Sequence, residues 1–373
     1  MLPSHTRDAF DRGFYVEPPD GGMHAHILRW VRRDPNAHQL MLGGIGSGKT
    51  SELLMARDTI TREGIALAWH VELDTCFDLD ALGDGHLTTL AGLALLALLR
   101  AKREPVVGLA HDLSLELHAS LRPDAEDIAG LVRPEYLRHH TAAPVRPAQE
   151  LADTLAPLVS RLRPLRGEGD GVVLLVDALD RRGLGAFTAA TQRDLPVLRA
   201  LGVGLVVVGS LDWRHGAEDL RADQRAAFAE LWEQPTWNPS EPDHLTFLRT
   251  VLDRRAPGVF SEEVATRLAV ASGGVMRDLL LLAQRCLHEA LDGRTGDVTL
   301  DHVALAIDAF REGALAGLPR DDRQALNALE FAGEQPGRAR AARLHARGCV
   351  VLREGQWHVH PALRGGSRRT EAA

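Results

Sequence analysis

The sequence predicts an α/β fold, a parallel sheet with helices on both faces, followed by a helical segment and a small helix–helix–hairpin module. Three observations carry this. A glycine-rich loop, Gly43-Gly44-Ile45-Gly46-Ser47-Gly48-Lys49-Thr50, joins a short apolar run to a helical one. Short apolar runs then alternate with helical stretches as far as about residue 240, the pattern of parallel strands buried on both faces. From Glu241 the strand signal gives way to helices, and strand-like runs return only near the C-terminus.

In chain order, Phe14 to Pro19 reads as an extended, proline-stiffened segment and Met23 to Arg32 as a helix; Asp34-Pro35-Asn36 turns the chain. His38 to Leu42 is the first strand, and the residues after Thr50 continue as a helix. Ile65 to Asp74 reads as a second strand, followed by a helix from about His86 to Arg103. The proline-broken, histidine-rich stretch 104–147 reads as an insertion. A helix from Ala148 to Leu162 and the turn Arg166 to Asp170 lead to Gly171–Val176, an apolar strand ending in Asp177. Val203 to Gly209 is another, ending in Ser210.

Helices are expected at Asp243 to Arg254, Ser261 to Ala271, Val275 to Leu291 and Leu300 to Arg311, with starts at Ser261 and Thr299. Two further helices, Asp321 to Phe331 and Arg338 to Arg347, precede Cys349 to Leu352 and Gln356 to His360. These last two flank Arg353-Glu354-Gly355 as a hairpin, which makes a winged-helix candidate; the tail after Pro361 reads as frayed. The expected division is 1–240 for the sheet domain, 241–315 for a helical lid and 316–373 for the winged helix.

Composition excludes several classes. The 373 residues are 45% hydrophobic and 25% charged, as in an ordinary globular protein. The longest apolar run, Leu87 to Leu99, is too short for a membrane span, and Met1 to Phe10 has no secretory pattern. Cys76, Cys286 and Cys349 are scattered, as reduced core thiols of a cytoplasmic protein would be. A net charge of −8 argues against a chain that coats nucleic acid throughout, yet Pro336 to Ala373 carries eight arginines and two glutamates.

The loop fits G-x-x-x-x-G-K-[ST], the phosphate-binding P-loop, in its required strand–loop–helix context. Its glycines let backbone N–H groups point at phosphate oxygens, and the helix N-terminus adds positive potential. Nucleotide-binding candidates are therefore Gly43, Gly44, Ile45, Gly46, Ser47, Gly48, Lys49, Thr50 and Ser51. Lys49 is suited to the β/γ-phosphates and the Thr50 hydroxyl to Mg²⁺. Lysine occurs only at 49 and 102, with arginine used elsewhere, so a compact ammonium is kept where the motif needs one. Asp177, ending an apolar strand, is the second Mg²⁺ candidate. Ala178 follows it where hydrolysing ATPases often place glutamate. Asp180 is either the water-activating carboxylate or a helix N-cap. Ser210 either touches the γ-phosphate or forms a turn. Arg277 either reports the γ-phosphate or pairs with Asp278. Arg214, Arg221 and Arg225 are candidate fingers toward a neighbouring subunit. His139-His140 and His358/His360 lack metal-site spacing, and the second pair suits wing packing. Arg338, Arg340, Arg343 and Arg347 either contact DNA phosphates or form a solvated or partner-facing helix.

With these motifs the chain resembles the AAA+/STAND group of P-loop ATPases. The order of P-loop, Asp177 strand, Ser210 strand, Gly-Gly-x-x-Arg at 273–277 and winged helix is similar to the initiator and origin-recognition branch. It is also similar to transposition-regulating ATPases and STAND switches. The resemblance implies ATP and Mg²⁺ as cofactors and an extra strand between the P-loop and Asp177 strands. It also implies adenine between the N-terminal segment and the lid, with Tyr15 and Val16 as neighbours. Ala178 and Met276 depart from the pattern, and Asp177-Ala178-Leu179-Asp180 is closer to STAND than to fast motors. The expected function is a slowly hydrolysing ATPase switch that couples nucleotide state to oligomerisation or partner engagement. Alternatives are a DNA loader or transposition regulator, a small-molecule kinase, and a non-hydrolysing binding module.

Overall fold

The computed structural model describes residues 13–101, 117, 120–121, 144–162, 171–179, 184–215, 220–294 and 296–364. Asp180, His139, His140, most of the 104–147 insertion, the 166–170 turn, residues 1–12 and the tail after 364 lie outside these described residues.

Five parallel strands form the sheet: β1 (His38–Gly43), β2 (Ala66–Glu72), β3 (Gly171–Asp177), β4 (Val203–Ser210) and β5 (Glu230–Gln234), in the order β2-β3-β4-β1-β5. The strand inserted between β1 and the Asp177 strand is thus β4. Pairing is in register, with Gly43 opposite Ser210 and Glu72 opposite Asp177, so all the functional strand ends reach one edge. That edge is the carboxyl end of a parallel sheet, where such folds bind ligands.

Alternation divides each central strand between two cores. Met41, Ala66, Ala68, Val173, Leu175, Val206 and Val208 face α1 (Gly22–Arg33) and α2 (Lys49–Arg62), which bury Met23, Ile27, Leu53 and Ile60 there. Leu40, Leu42, Trp69, Val71, Leu174, Val176, Leu205 and Val207 face the opposite way. They meet α3 (His86–Ala101), α4 (Ala148–Leu162), α5 (Leu184–Thr191) and α6 (Asp194–Leu201). Full burial on both faces is why these strands read as continuous apolar runs. β5 escapes that reading because it is an edge strand whose residues Glu230 to Glu233 are only partly buried; β1 supplies its pairing. The second strand also ends earlier than the sequence suggests, because Leu73–Cys76 turns into a short helix.

Four helices follow: α7 (Pro242–Arg255), α8 (Glu262–Ala271), α9 (Met276–Asp292) and α10 (Leu300–Leu315). The Ser261 hydroxyl accepts the Val264 N–H at 3.3 Å, and Thr299 forms a reciprocal cap with His302. Then come α11 (Arg320–Ala332), α12 (Arg338–Ala346) and the antiparallel hairpin β6 (Val350–Arg353) and β7 (Gln356–Val359), turned by Glu354 and Gly355 at positive φ. This is the helix–helix–hairpin order expected.

The hairpin is fastened to the α8–α9 turn. His360, fully buried, donates from Nε2 to Ser272 O at 3.0 Å and lies 3.3 Å from Asp278 Oδ2. Arg353 donates to Gly273 O at 2.5 Å. His360 therefore serves the junction between the hairpin and the helical segment.

Candidate functional site

The glycine loop fills the gap between β1 and α2. Gly46 and Gly48 have φ of 79° and 93°, a left-handed backbone that glycine adopts without strain. Gly43 has no positive φ, but a Cβ there would stand 2.8 Å from Lys49 Cδ and 2.9 Å from Ser47 Oγ. Its missing side chain makes room for the lysine. Lys49, buried, donates from Nζ to Gly43 O at 3.0 Å and Gly44 O at 2.8 Å, so its ammonium is held inside the loop. Ser47 Oγ is buried without a hydrogen-bond partner, and Ile45 at the tip is exposed. Thr50 and Ser51 lie in the first turn of α2.

Asp177 meets this loop from β3. The Thr50 hydroxyl donates to its Oδ2 at 2.5 Å, and the Ala178 N–H donates to its Oδ1 at 2.8 Å. Burial pushes its pKa up, but His70, Thr50 and the Ala178 N–H outweigh that and hold it at about 2, so it is a carboxylate. Ala178 has a φ of 74°, a conformation costing an alanine roughly 1–2 kcal/mol. Its N–H is thereby turned back onto the carboxylate it follows. Ser210 is buried at the end of β4, and its hydroxyl accepts the Asp212 N–H at 3.1 Å, capping the short helix Asp212–His215.

The N-terminal segment is tied to the same helix as the loop. Tyr15 donates from its hydroxyl to Glu52 Oε1 at 3.0 Å, and the His24 backbone N–H donates to Glu52 Oε2 at 3.0 Å. Burial drives the Tyr15 pKa far above its usual value, and the Glu52 charge adds to the shift. Tyr15 is thus anchored half a turn beyond Thr50, and Val16 packs partly buried against the larger core. Arg277 also comes to the loop. Its N–H donates to Gly46 O at 3.1 Å, and a Cβ on Gly46 would stand 2.5 Å from Arg277 Cβ.

Three contributors have no simple signal in the sequence. His345, in the last turn of α12, lies so that its Nε2 would be 3.3 Å from a Cβ on Gly44. Its Nδ1 is 3.7 Å from Asp212 Oδ1. His70 and Glu72 from β2 converge on Asp177. Their one trace in the sequence is spacing: they alternate with apolar residues at the carboxyl end of a strand.

Of the candidate fingers, Arg214 lies 3.5 Å from Glu233 and Arg221 pairs with Asp223. In α12, Arg340 and Arg343 both approach the buried Asp322, at 3.3 and 3.2 Å, and just past its end Arg347 donates to Ala316 O at 3.4 Å. Among the described residues, no helix is long and apolar enough to cross a membrane.

A glycine loop closing on lysine, an in-register acidic strand end and the interposed β4 complete the pattern. The interposed β4 is the extra strand that the resemblance implies between the P-loop and Asp177 strands. No protein-family model matches the chain, and no curated protein matches it. Solved structures similar to it include the Thermotoga maritima RuvB Holliday junction branch migration motor, at 14% identity and TM-score 0.43, covering 93% of this chain and 95% of that one. Cdc6p from Pyrobaculum aerophilum is similar at 15% identity and TM-score 0.45, covering 97% and 93%. Domain III of the replication initiation protein DnaA from Thermotoga maritima is similar at 13% identity and TM-score 0.45, covering 83% and 98%.

Proposed function

We propose that this chain binds ATP with Mg²⁺ at Gly43–Thr50 and acts as a slowly hydrolysing, cytoplasmic switch of the AAA+/STAND kind. The observation that carries the reading is that two separate parts of the chain come up against one loop. The α8–α9 segment reaches it through the Arg277 N–H on Gly46, and α12 reaches it through His345 beside Gly44. In this reading a phosphate bound in that loop sets how each segment is seated.

In this reading Lys49 exchanges its two loop carbonyls for phosphate oxygens, and Arg277 senses the γ-phosphate. The Thr50 hydroxyl and Asp177 carboxylate, 2.5 Å apart, form an oxygen pair suited to Mg²⁺. Bound Mg²⁺ would neutralise charge between the β- and γ-phosphates. Ala178 supplies no carboxylate to orient water, which supports slow turnover. Either a second copy of the chain or another protein receives the change, and exchange of the Arg214 or Arg221 partners would offer a finger to it. The buried free cysteines suit a reducing compartment.

Hydrogen exchange at residues 272–278 and 344–348, with ATP hydrolysis and particle mass, tests this on the wild type and Lys49→Ala, with and without double-stranded DNA. ATP and Mg²⁺ should alter protection in the wild type alone, with slow turnover that DNA leaves unchanged. Unaltered protection in the wild type overturns the switch. DNA-stimulated turnover with larger particles turns the reading toward a DNA loader.

A further inference from the structure

Side chains on β2 alternate between the two faces of the sheet. Ala66 and Ala68 enter the core under α2, and two residues at a time the same row continues to His70 and Glu72. On β3 the row Val173, Leu175, Asp177 faces the same way, with His70 opposite Leu175 and Glu72 opposite Asp177. Where the apolar row ends, one imidazole and two carboxylates therefore stand together at the carboxyl edge of the sheet. One ligand atom from each of His70, Glu72 and Asp177 lies within 4.8 Å of the other two.

His70 shows what this group lacks. Its side chain is only 4% exposed, and its Nε2 points at Asp177 Oδ2 from 3.7 Å, too far for a hydrogen bond. That nitrogen has no other hydrogen-bond partner. The Asp177 carboxylate stands before it as a charged neighbour, but a buried nitrogen that makes no hydrogen bond still carries a desolvation penalty. A cation bound at about 2.1 Å from each ligand holds neighbouring ligand atoms about 3 Å apart and opposite ones about 4.2 Å apart. The observed separations, 3.7 Å between His70 and Asp177 and none above 4.8 Å, reach those values only when the side chains turn toward the ion on binding. The Thr50 hydroxyl, 2.5 Å from Asp177 Oδ2, adds a further oxygen at the rim.

We propose that His70, Glu72 and Asp177 form a divalent transition-metal site that fills without nucleotide. An imidazole with two carboxylates suits Mn²⁺, Co²⁺ or Zn²⁺, whereas Mg²⁺ prefers oxygen ligands throughout. The metal joins β2 to β3 at the edge where the P-loop begins. His70, Glu72 and Asp177 come from adjacent strands, and although Asp177 is shared with the Mg²⁺ pair proposed above, binding in the nucleotide-free protein does not depend on ATP.

The test is Mn²⁺ binding to the full chain, stripped with a chelator and free of nucleotide, followed by electron paramagnetic resonance. Co²⁺ absorption reports ligand type. One Mn²⁺ per chain is expected, with weak competition from Mg²⁺. His70→Gln and, separately, Glu72→Gln should each weaken binding about ten- to a hundredfold. Both variants should unfold in chelator at the wild-type temperature, which separates a lost ligand from a lost fold. Lys49→Ala should keep the metal while losing ATP, so the failure of either reading leaves the other standing. No stoichiometric Mn²⁺ binding overturns the site, as does equal affinity in wild type and both variants, or displacement by equimolar Mg²⁺.

Discussion

Replacing Gly274 by alanine should be among the most damaging single-methyl changes in the chain. Gly274 has a φ of 82°, and a Cβ there would stand 1.6 Å from Trp237 O and 2.6 Å from Trp237 C. Left-handed backbone costs alanine roughly 1–2 kcal/mol. The overlap is with a main-chain carbonyl of a nearly buried tryptophan, so no flexible tip can swing aside; forced repacking of this kind adds roughly 1–3 kcal/mol. The sum is about 2–5 kcal/mol, a large part of the stability of an ordinary domain. Gly258→Ala is the control, because Gly258 has a φ of 69° but nothing within 4 Å of a built Cβ. Only the backbone cost, roughly 1–2 kcal/mol, applies there. Urea unfolding followed by tryptophan fluorescence should place Gly274→Ala clearly below Gly258→Ala. Because Gly274 leads into the Arg277 contact with Gly46, the first variant should also bind ATP more weakly. Equal destabilisation of the two would refute the argument, since it would mean that the close approach to Trp237 contributes nothing.

Burial holds the pKa of His38 down at about 4 against an ordinary 6.5, although Nε2 donates to Val203 O at 3.2 Å. The folded state then binds fewer protons than the unfolded one between these values. Stability present above pH 6.5 should fall by up to about 3 kcal/mol as pH drops toward 4. His38→Gln should flatten that slope in urea midpoints measured across the range, and an unchanged slope would exclude His38 as its source. Burial lifts the thiols of Cys286 and Cys349 to about 12 and about 11, and Cys76 is fully buried. A thiol reagent at pH 8 should label all three in urea and none in the native protein; rapid native labelling would contradict the packing. Tyr15→Phe removes one hydrogen bond to Glu52 and should cost about 1 kcal/mol. Glu52→Ala also strands the His24 N–H and should cost about 2–3 kcal/mol, so an inverted order in thermal melts would count against this network.

Much of this arrangement is legible in the amino-acid sequence. β1, β3 and β4 announce themselves because both faces are buried, leaving almost no position for a polar residue. The helices after Glu241 show through their caps at Ser261 and Thr299. The loop itself could be read to the residue, since glycine at 46 and 48 answers a requirement of local backbone geometry. Other parts depend on what lies across space. β5 is recognisable only once β1 is there to pair with it. His345 reaches Gly44 across some three hundred residues of sequence, and nothing around it marks that contact. His358 and His360 look alike on an alternating strand, yet only the second, just past β7, is buried against Ser272.

The Ser272-Gly273-Gly274 turn has a mechanical consequence. Two of its carbonyls are gripped by His360 and Arg353, its glycine is pressed against Trp237, and three residues on the chain touches Gly46. Such a joint has little play. A push on the hairpin has few soft torsions in which to dissipate before it arrives at the mouth of the loop. The two modules should therefore travel as geared parts, with the displacement of one fixing that of the other.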